Sequence, residues 1–466
     1  MSRFGRFFSH WTLGLVFVLV LCAGSVFAKT NVILVVVDGG GYGAYRVASQ
    51  YRTGEDRGLP FMKGEDGWGE FGCTTYSLSG VVQHSQFEEN AGPQKTSYSE
   101  DGSYDPATHW LEFKTHMKNP TDSAASSTAL NSGVKTKNGR VNYDKNDQPL
   151  ETLAEYVVKR GFAAGAITNV GASHATPAGV AAHNMSRGDG KDIWREMVKK
   201  DVLSVVIGAS HPWYSSKAQR RDKIEIQKYG PSEHAWGKIT TEEFYYGWKF
   251  IEKREDFQKI ASGEMAPPKK LMGLPQVSGT FQASRADENK RHETVPTMTE
   301  CALAGLNVLN QNEKGFYVLI ESGAVDGLAH GNNKSRRIFD EMNECFDMVE
   351  AICEWVEKNS SWEETTLILT ADHETGALFG PDADKEGTLF QTPIGKGKGV
   401  FPEMAFYTRG HTNAPVPFYV RGAGLPILEK RVRCTDEKFG KIWGFEGRII
   451  DNTDFVPAAK ELFDRQ

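Results

Sequence analysis

Residues Asn31 to Val37 read Asn-Val-Ile-Leu-Val-Val-Val and stop abruptly at Asp38-Gly39-Gly40-Gly41. Such a run has no polar face to give to water. As a strand it must be covered on both sides, which is the situation inside a parallel sheet. Similar runs recur at Ala164 to Val170, Val202 to Ile207, Gly315 to Ile320 and Thr366 to Thr370. Helical patterns fall between them at Glu151 to Arg160, Thr297 to Leu309 and Ile338 to Val356. This alternation predicts an α/β fold: a large, mostly parallel central sheet with helices on both faces. Two stretches break the alternation and are expected to be peripheral insertions, at about residues 51–118 and 211–290. The expected organisation is one large catalytic domain over residues 29–466.

The first 28 residues are a separate object. Arg3 and Arg6 give a basic start, Trp11 to Cys22 is almost wholly apolar, and Val26-Phe27-Ala28 offers a small-residue cleavage site. That is the layout of a secretory signal peptide. It predicts export to the periplasm or the extracellular space, with no stable membrane anchor after cleavage. Loss of Arg3 and Arg6 takes the formal net charge from −6 to −8. With no basic stripe to neutralise a phosphate backbone, nucleic-acid binding is not expected. Cys73, Cys301, Cys345, Cys353 and Cys434 remain, an odd number that leaves at least one thiol unpaired. Cys345 and Cys353 share a predicted helix that separates them by about 12 Å. They cannot bridge each other, and the rest of the pairing stays open.

Ligands of open α/β sheets collect outside the carboxyl ends of the strands. Asp38 follows the first run, and His174 and Thr176 follow the run ending at Val170. Glu321, Asp326 and His330 follow Ile320, and Asp372 and His373 follow Thr370. Carboxylates and imidazoles thus recur strand after strand. Mixed imidazole and carboxylate donors suit zinc, whereas carboxylate and hydroxyl donors suit magnesium. Between these blocks lies Asp122-Ser123-Ala124-Ala125-Ser126. On its own it reads as a helix N-cap; beside metal ligands, Ser123 becomes a candidate nucleophile next to helix amides that favour an oxyanion.

The stretch Thr121 to Ser126, continuing through Gly133-Val134-Lys135-Thr136-Lys137-Asn138-Gly139, closely resembles the nucleophile segment of the alkaline phosphatases. Further blocks follow in that family's order: Val37-Asp38-Gly39, His174-Ala175-Thr176-Pro177, Ser186-Arg187, Glu321 to Asp326 with His330, Thr370 to Gly376, and Gly410-His411-Thr412. The resemblance implies a phosphomonoesterase with two zinc ions, one magnesium ion and a phosphoserine intermediate. It implies Asp326, His330 and His411 at one zinc, and Asp38, Asp372 and His373 at the other, with Ser123 adjacent. Asp38, Thr176 and Glu321 would hold the third ion, and Arg187 would grip the phosphate of a small-molecule monoester. Two departures qualify it. His174 stands where some members carry aspartate, which could make the third site more zinc-like. Gly327 stands where some place a lysine or histidine near the phosphate. Homodimers are common in the family, but nothing in this sequence identifies an interface.

Overall fold

The computed structural model describes residues 29–78, 104–243, 245–287, 289–332 and 336–465; the signal-peptide segment and part of the first expected insertion lie outside them. Eleven strands form one sheet, in the order Cys434–Thr435, Arg448–Asp451, Trp68–Thr74, Val416–Gly422, Thr365–Thr370, Thr30–Val37, Gly315–Ser322, Ala163–Gly171, Val205–Ala209, Leu271–Gly273 and Lys249–Ile251. From Thr365–Thr370 to Lys249–Ile251 every neighbouring pair is parallel. Val416–Gly422 runs antiparallel between Thr365–Thr370 and Trp68–Thr74. This is the mostly parallel α/β sheet the apolar runs predict.

The strand Thr30–Val37 lies in the middle, and Val32 to Val37 are all fully buried. Alternate residues feed two cores. Ile33, Val35 and Val37 pack with the helices Met298–Leu309 and Arg336–Asn359. Val32, Leu34 and Val36 pack toward the helices Leu153–Val158 and Phe455–Phe463. Each such side chain contributes about 1.5–3 kcal/mol by leaving water, so the run must stay continuous.

The register aims the chemistry. Val36 pairs with both Glu321 and Thr370, and Glu321 pairs in turn with Thr168. Three strands therefore finish at one level, Ala163–Gly171 runs three residues past it, and the residues that follow them converge at a single edge.

The segments read as insertions contribute more to the sheet than their sequence suggests. Residues 51–118 supply Trp68–Thr74, a strand well inside the sheet. Its glycines hide it from a hydrophobic pattern. A Cβ at Gly69 would lie 2.4 Å from Leu425, and one at Gly72 would lie 2.5 Å from Phe439. Residues 211–290 supply the two short strands at the opposite edge. Among the described residues Cys73, Cys301, Cys345, Cys353 and Cys434 are all free thiols. Among the described residues no helix is long and apolar enough to cross a membrane.

Candidate active site

Ser123 opens the helix Ser123–Ser132, and Asp122 caps it by accepting from the Ala125 amide at 2.9 Å. Small side chains let this helix sit deep: Ser123, Ala124 and Ala125 are all buried. Two hydroxyls tie it to its neighbours. Ser126 Oγ donates to the Asp372 carbonyl at 2.6 Å, and Ser127 Oγ donates to the Thr176 carbonyl at 2.7 Å. The result places Ser123 Oγ 3.3 Å from His373 Nε2. The second oxygen of Asp122 accepts from Arg187 at 3.0 Å, and Arg187 also lies 3.2 Å from His174 Nε2. The guanidinium is thereby fixed to the residue that precedes the serine.

Three groups of metal-type donors surround this point, each with its ligand atoms within 4.8 Å of one another: Asp38 with Asp372 and His373, Asp326 with His373 and His411, and Asp38 with His174 and Glu321. His330 joins the second group, its Nε2 being 3.1 Å from His411 Nε2 and 3.3 Å from Asp326. Thr176 is fully buried on the short helix that follows His174. All the residues singled out in the sequence thus arrive in one place.

Electrostatics shows what the cluster requires. Burial pushes the Asp38 carboxyl well above the usual range, and repulsion from Asp372, Asp326 and Glu321 adds to it. Burial, then the charge of Asp326, pushes Asp372 up to about 7. Burial raises Glu321 too, against the opposing hydroxyls of Thr168 and Thr176. Among the described residues no N–H or O–H donor reaches either oxygen of Asp38, or Oδ2 of Asp372, in hydrogen-bonding geometry. Burial, then repulsion from His411, drives His373 well below its ordinary value, so its lone pair is free to bind. Burial and Arg187 likewise hold His174 at about 3. Converging carboxylates without donors are costly in a dry pocket unless a cation neutralises them. Neutral imidazoles beside them are the donor chemistry of zinc. The residues fit divalent metals.

The family model described as alkaline phosphatase matches residues 90–415. The chain belongs to the alkaline phosphatase family. It is 26% identical over 331 residues to alkaline phosphatase 4 of Bacillus subtilis, covering 69% of this chain and 64% of that one. Alkaline phosphatase 3 of the same organism is 25% identical over 323 residues, 68% of this chain and 60% of that one. The match therefore spans somewhat under two thirds of these curated relatives. Among solved structures, the cold-active alkaline phosphatase of Shewanella sp. has the same fold, with a TM-score of 0.60 and 21% identity over 93% of this chain and all of that one.

In this member of the alkaline phosphatase family, several supporting residues escape a sequence reading. Thr375 Oγ donates to Asp326 Oδ1 at 2.6 Å and lies 3.3 Å from His373 Nδ1. His411 Nδ1 faces the Thr121 carbonyl at 2.8 Å, and His330 Nδ1 faces that of Arg409. A carbonyl only accepts, so each Nδ1 carries a proton, and Nε2 is the ring atom each histidine turns toward Asp326. Gly39 adopts φ +75°, and a Cβ there would lie 2.9 Å from the Asp326 backbone. Asp122 is legible as a cap, but not as the anchor of an arginine 65 positions away.

Asn169 holds the turn between Glu321 and Asp326. Its Oδ1 accepts from the amides of Gly323 at 2.7 Å and Ala324 at 3.2 Å, while its Nδ2 donates to buried Glu341 at 3.2 Å. Removing a partner of this kind typically costs 10–100-fold in metal affinity or activity. Asn169→Ala is expected to weaken metal retention by about tenfold, read by competition with a chromophoric chelator. Unchanged retention would show that the turn holds without it.

Proposed function

We propose that this chain is an exported alkaline phosphatase that hydrolyses phosphate monoesters through a phosphoserine on Ser123. The observation that carries this is the placement of Ser123 Oγ 3.3 Å from His373 Nε2, within the donor groups, on a helix whose cap holds Arg187. Asp326, His330 and His411 would hold one zinc, and Asp38, Asp372 and His373 the other. Asp38, Thr176 and Glu321 would hold a third ion, taken as magnesium, or as zinc if His174 joins the set. When bound, these ions lower the pKa of the serine hydroxyl and stabilise the departing alkoxide.

The chain's own residues do the rest. Ser123 Oγ attacks phosphorus in line, forming the O–P bond of phosphoserine as the bond to the alcohol oxygen breaks. The serine proton is released, and the alcohol oxygen gains one from solvent. Arg187 takes two non-bridging oxygens in its planar fork while Asp122 keeps the fork oriented. The amides at the start of the helix Ser123–Ser132 face the same charge. Water then attacks from the side the alcohol has left, and Ser123 and inorganic phosphate are regenerated. The signal-peptide pattern of residues 1–28 supports export.

The test is hydrolysis by the purified mature protein at alkaline pH in zinc and magnesium. p-Nitrophenyl phosphate is expected to turn over much faster than bis(p-nitrophenyl) phosphate. No monoester turnover would overturn the reading, and a faster diester would move the chain to a different reaction class.

A further inference from the structure

The segment Ile226 to Gly230, from the second inserted stretch, is laid against the Arg187 side of the site. Its backbone is fixed there. The Tyr229 carbonyl accepts from the Ser173 amide at 3.3 Å and from Ser210 Oγ at 2.7 Å. The Tyr229 ring meets His174 edge-on at 5.1 Å. Gly190 admits the segment closely, since a Cβ there would lie 2.5 Å from the Lys228 carbonyl. Ser123 and the ligands around His373 are buried, whereas the Arg187 side chain is 21% exposed. Asp326 and His330 are part-exposed as well, at 17% and 15%, so the Arg187 side is one of two openings through which the alcohol part of a substrate could leave.

Lys228 stands at this opening. A Cβ on Gly188, the residue after Arg187, would lie 3.9 Å from Lys228 Nζ. The charge of Lys228 is felt at His174. Beside it is a cavity of about 500 Å³ lined by Gly188, Asp189, Lys191, Asp192, Ile226 and Lys228. Arg195 engages Asp192 at 3.1 Å, and no carboxylate among the described residues pairs with Lys191 or Lys228. The lining itself holds two lysines and two aspartates; counting Arg195, which engages Asp192 from the rim, three positive groups face two negative ones.

We propose that this cavity is a leaving-group subsite in which Lys228 reads a second anionic group, carboxylate or phosphate, on the alcohol of the substrate. The inference rests on the phosphatase reading and narrows it to monoesters of acidic alcohols. An exposed ammonium gives a modest, salt-screened gain, so selectivity of roughly 3- to 10-fold is the scale to look for.

The experiment compares kcat/KM for 3-phosphoglycerate and glycerol 3-phosphate, which differ by a carboxylate at the far end. The metal-loaded wild type is expected to favour 3-phosphoglycerate. Lys228→Met should shrink that ratio roughly 3- to 10-fold, chiefly through KM, Lys228→Arg should preserve it, and added salt should erode it in the wild type. A ratio unchanged in Lys228→Met, or equal losses on both esters, overturns the subsite while leaving the phosphatase reading intact. Failure of the wild type to hydrolyse either ester or p-nitrophenyl phosphate overturns both.

Discussion

Ser123→Ala is expected to lower kcat on p-nitrophenyl phosphate by about 10³-fold or more, the scale of loss when a covalent nucleophile is removed. The substitution deletes one hydroxyl from a buried position, and alanine suits the first turn of a helix whose next two residues are alanines. The fold and the donor groups should therefore survive, and metal content should stay near that of the wild type. Wild-type protein quenched in acid after exposure to ³²P-labelled phosphate should carry label on Ser123, and the variant should carry none. The same variant separates catalysis from storage. A protein that only sequesters metal or phosphate would keep its function without that hydroxyl. Near wild-type turnover by Ser123→Ala would remove Ser123 from the mechanism, and with it the meaning given to the 3.3 Å approach of His373.

The strands were legible because burial on both faces demands unbroken apolar runs, and Asn31 to Val37 satisfies that demand in its own letters. Trp68–Thr74 was not, because packing against Leu425 and Phe439 required glycines where a pattern would look for valines. The ligand residues were legible for a related reason. Strands in one register end together, so side chains just past those ends must meet. Their supports were hidden. Nothing local marks Thr375 as the donor to Asp326, or Asn169 as the clamp on the turn at Gly323, since each bond spans a long loop of chain. Cysteine behaved differently again. An exported chain permits bridges, yet Cys73, Cys301 and Cys345 are buried as free thiols, and burial raises each of them, so they behave as small apolar side chains.

Metal removal should abolish phosphatase activity and destabilise the protein, with a pH signature set by the site. Stripping with a chelator leaves Asp38, Asp372, Asp326 and Glu321 to repel one another in a buried pocket. Ligand linkage sets the scale: metal held 1,000-fold above its dissociation constant contributes about 4 kcal/mol to the folded state. The sign of the pH effect follows from Asp372. Its carboxyl is pushed up to about 7 in the folded chain by burial and by Asp326, from an ordinary value of 3.8. A carboxyl whose folded value is raised binds its proton more tightly when folded. Stability is then highest in acid, falls as pH rises from about 4 to about 7 on account of this group, and stays low above that. Asp38, also raised, acts in the same direction, whereas Asp326, held low by His330 and His411 despite its burial, loses its contribution only in acid below about pH 4 and leaves this range unchanged. His373 and His174, held below their ordinary value by burial, oppose this fall up to about pH 6.5. The Asp372 share is therefore read as a difference: thermal melts of the metal-free wild type should lose more between about pH 4 and 7 than those of Asp372→Asn. Adding zinc and magnesium at pH 8 should restore both the melting temperature and the activity. A metal-free protein whose melting temperature matches that of the loaded one at pH 8 would show that the cluster is not held together by cations.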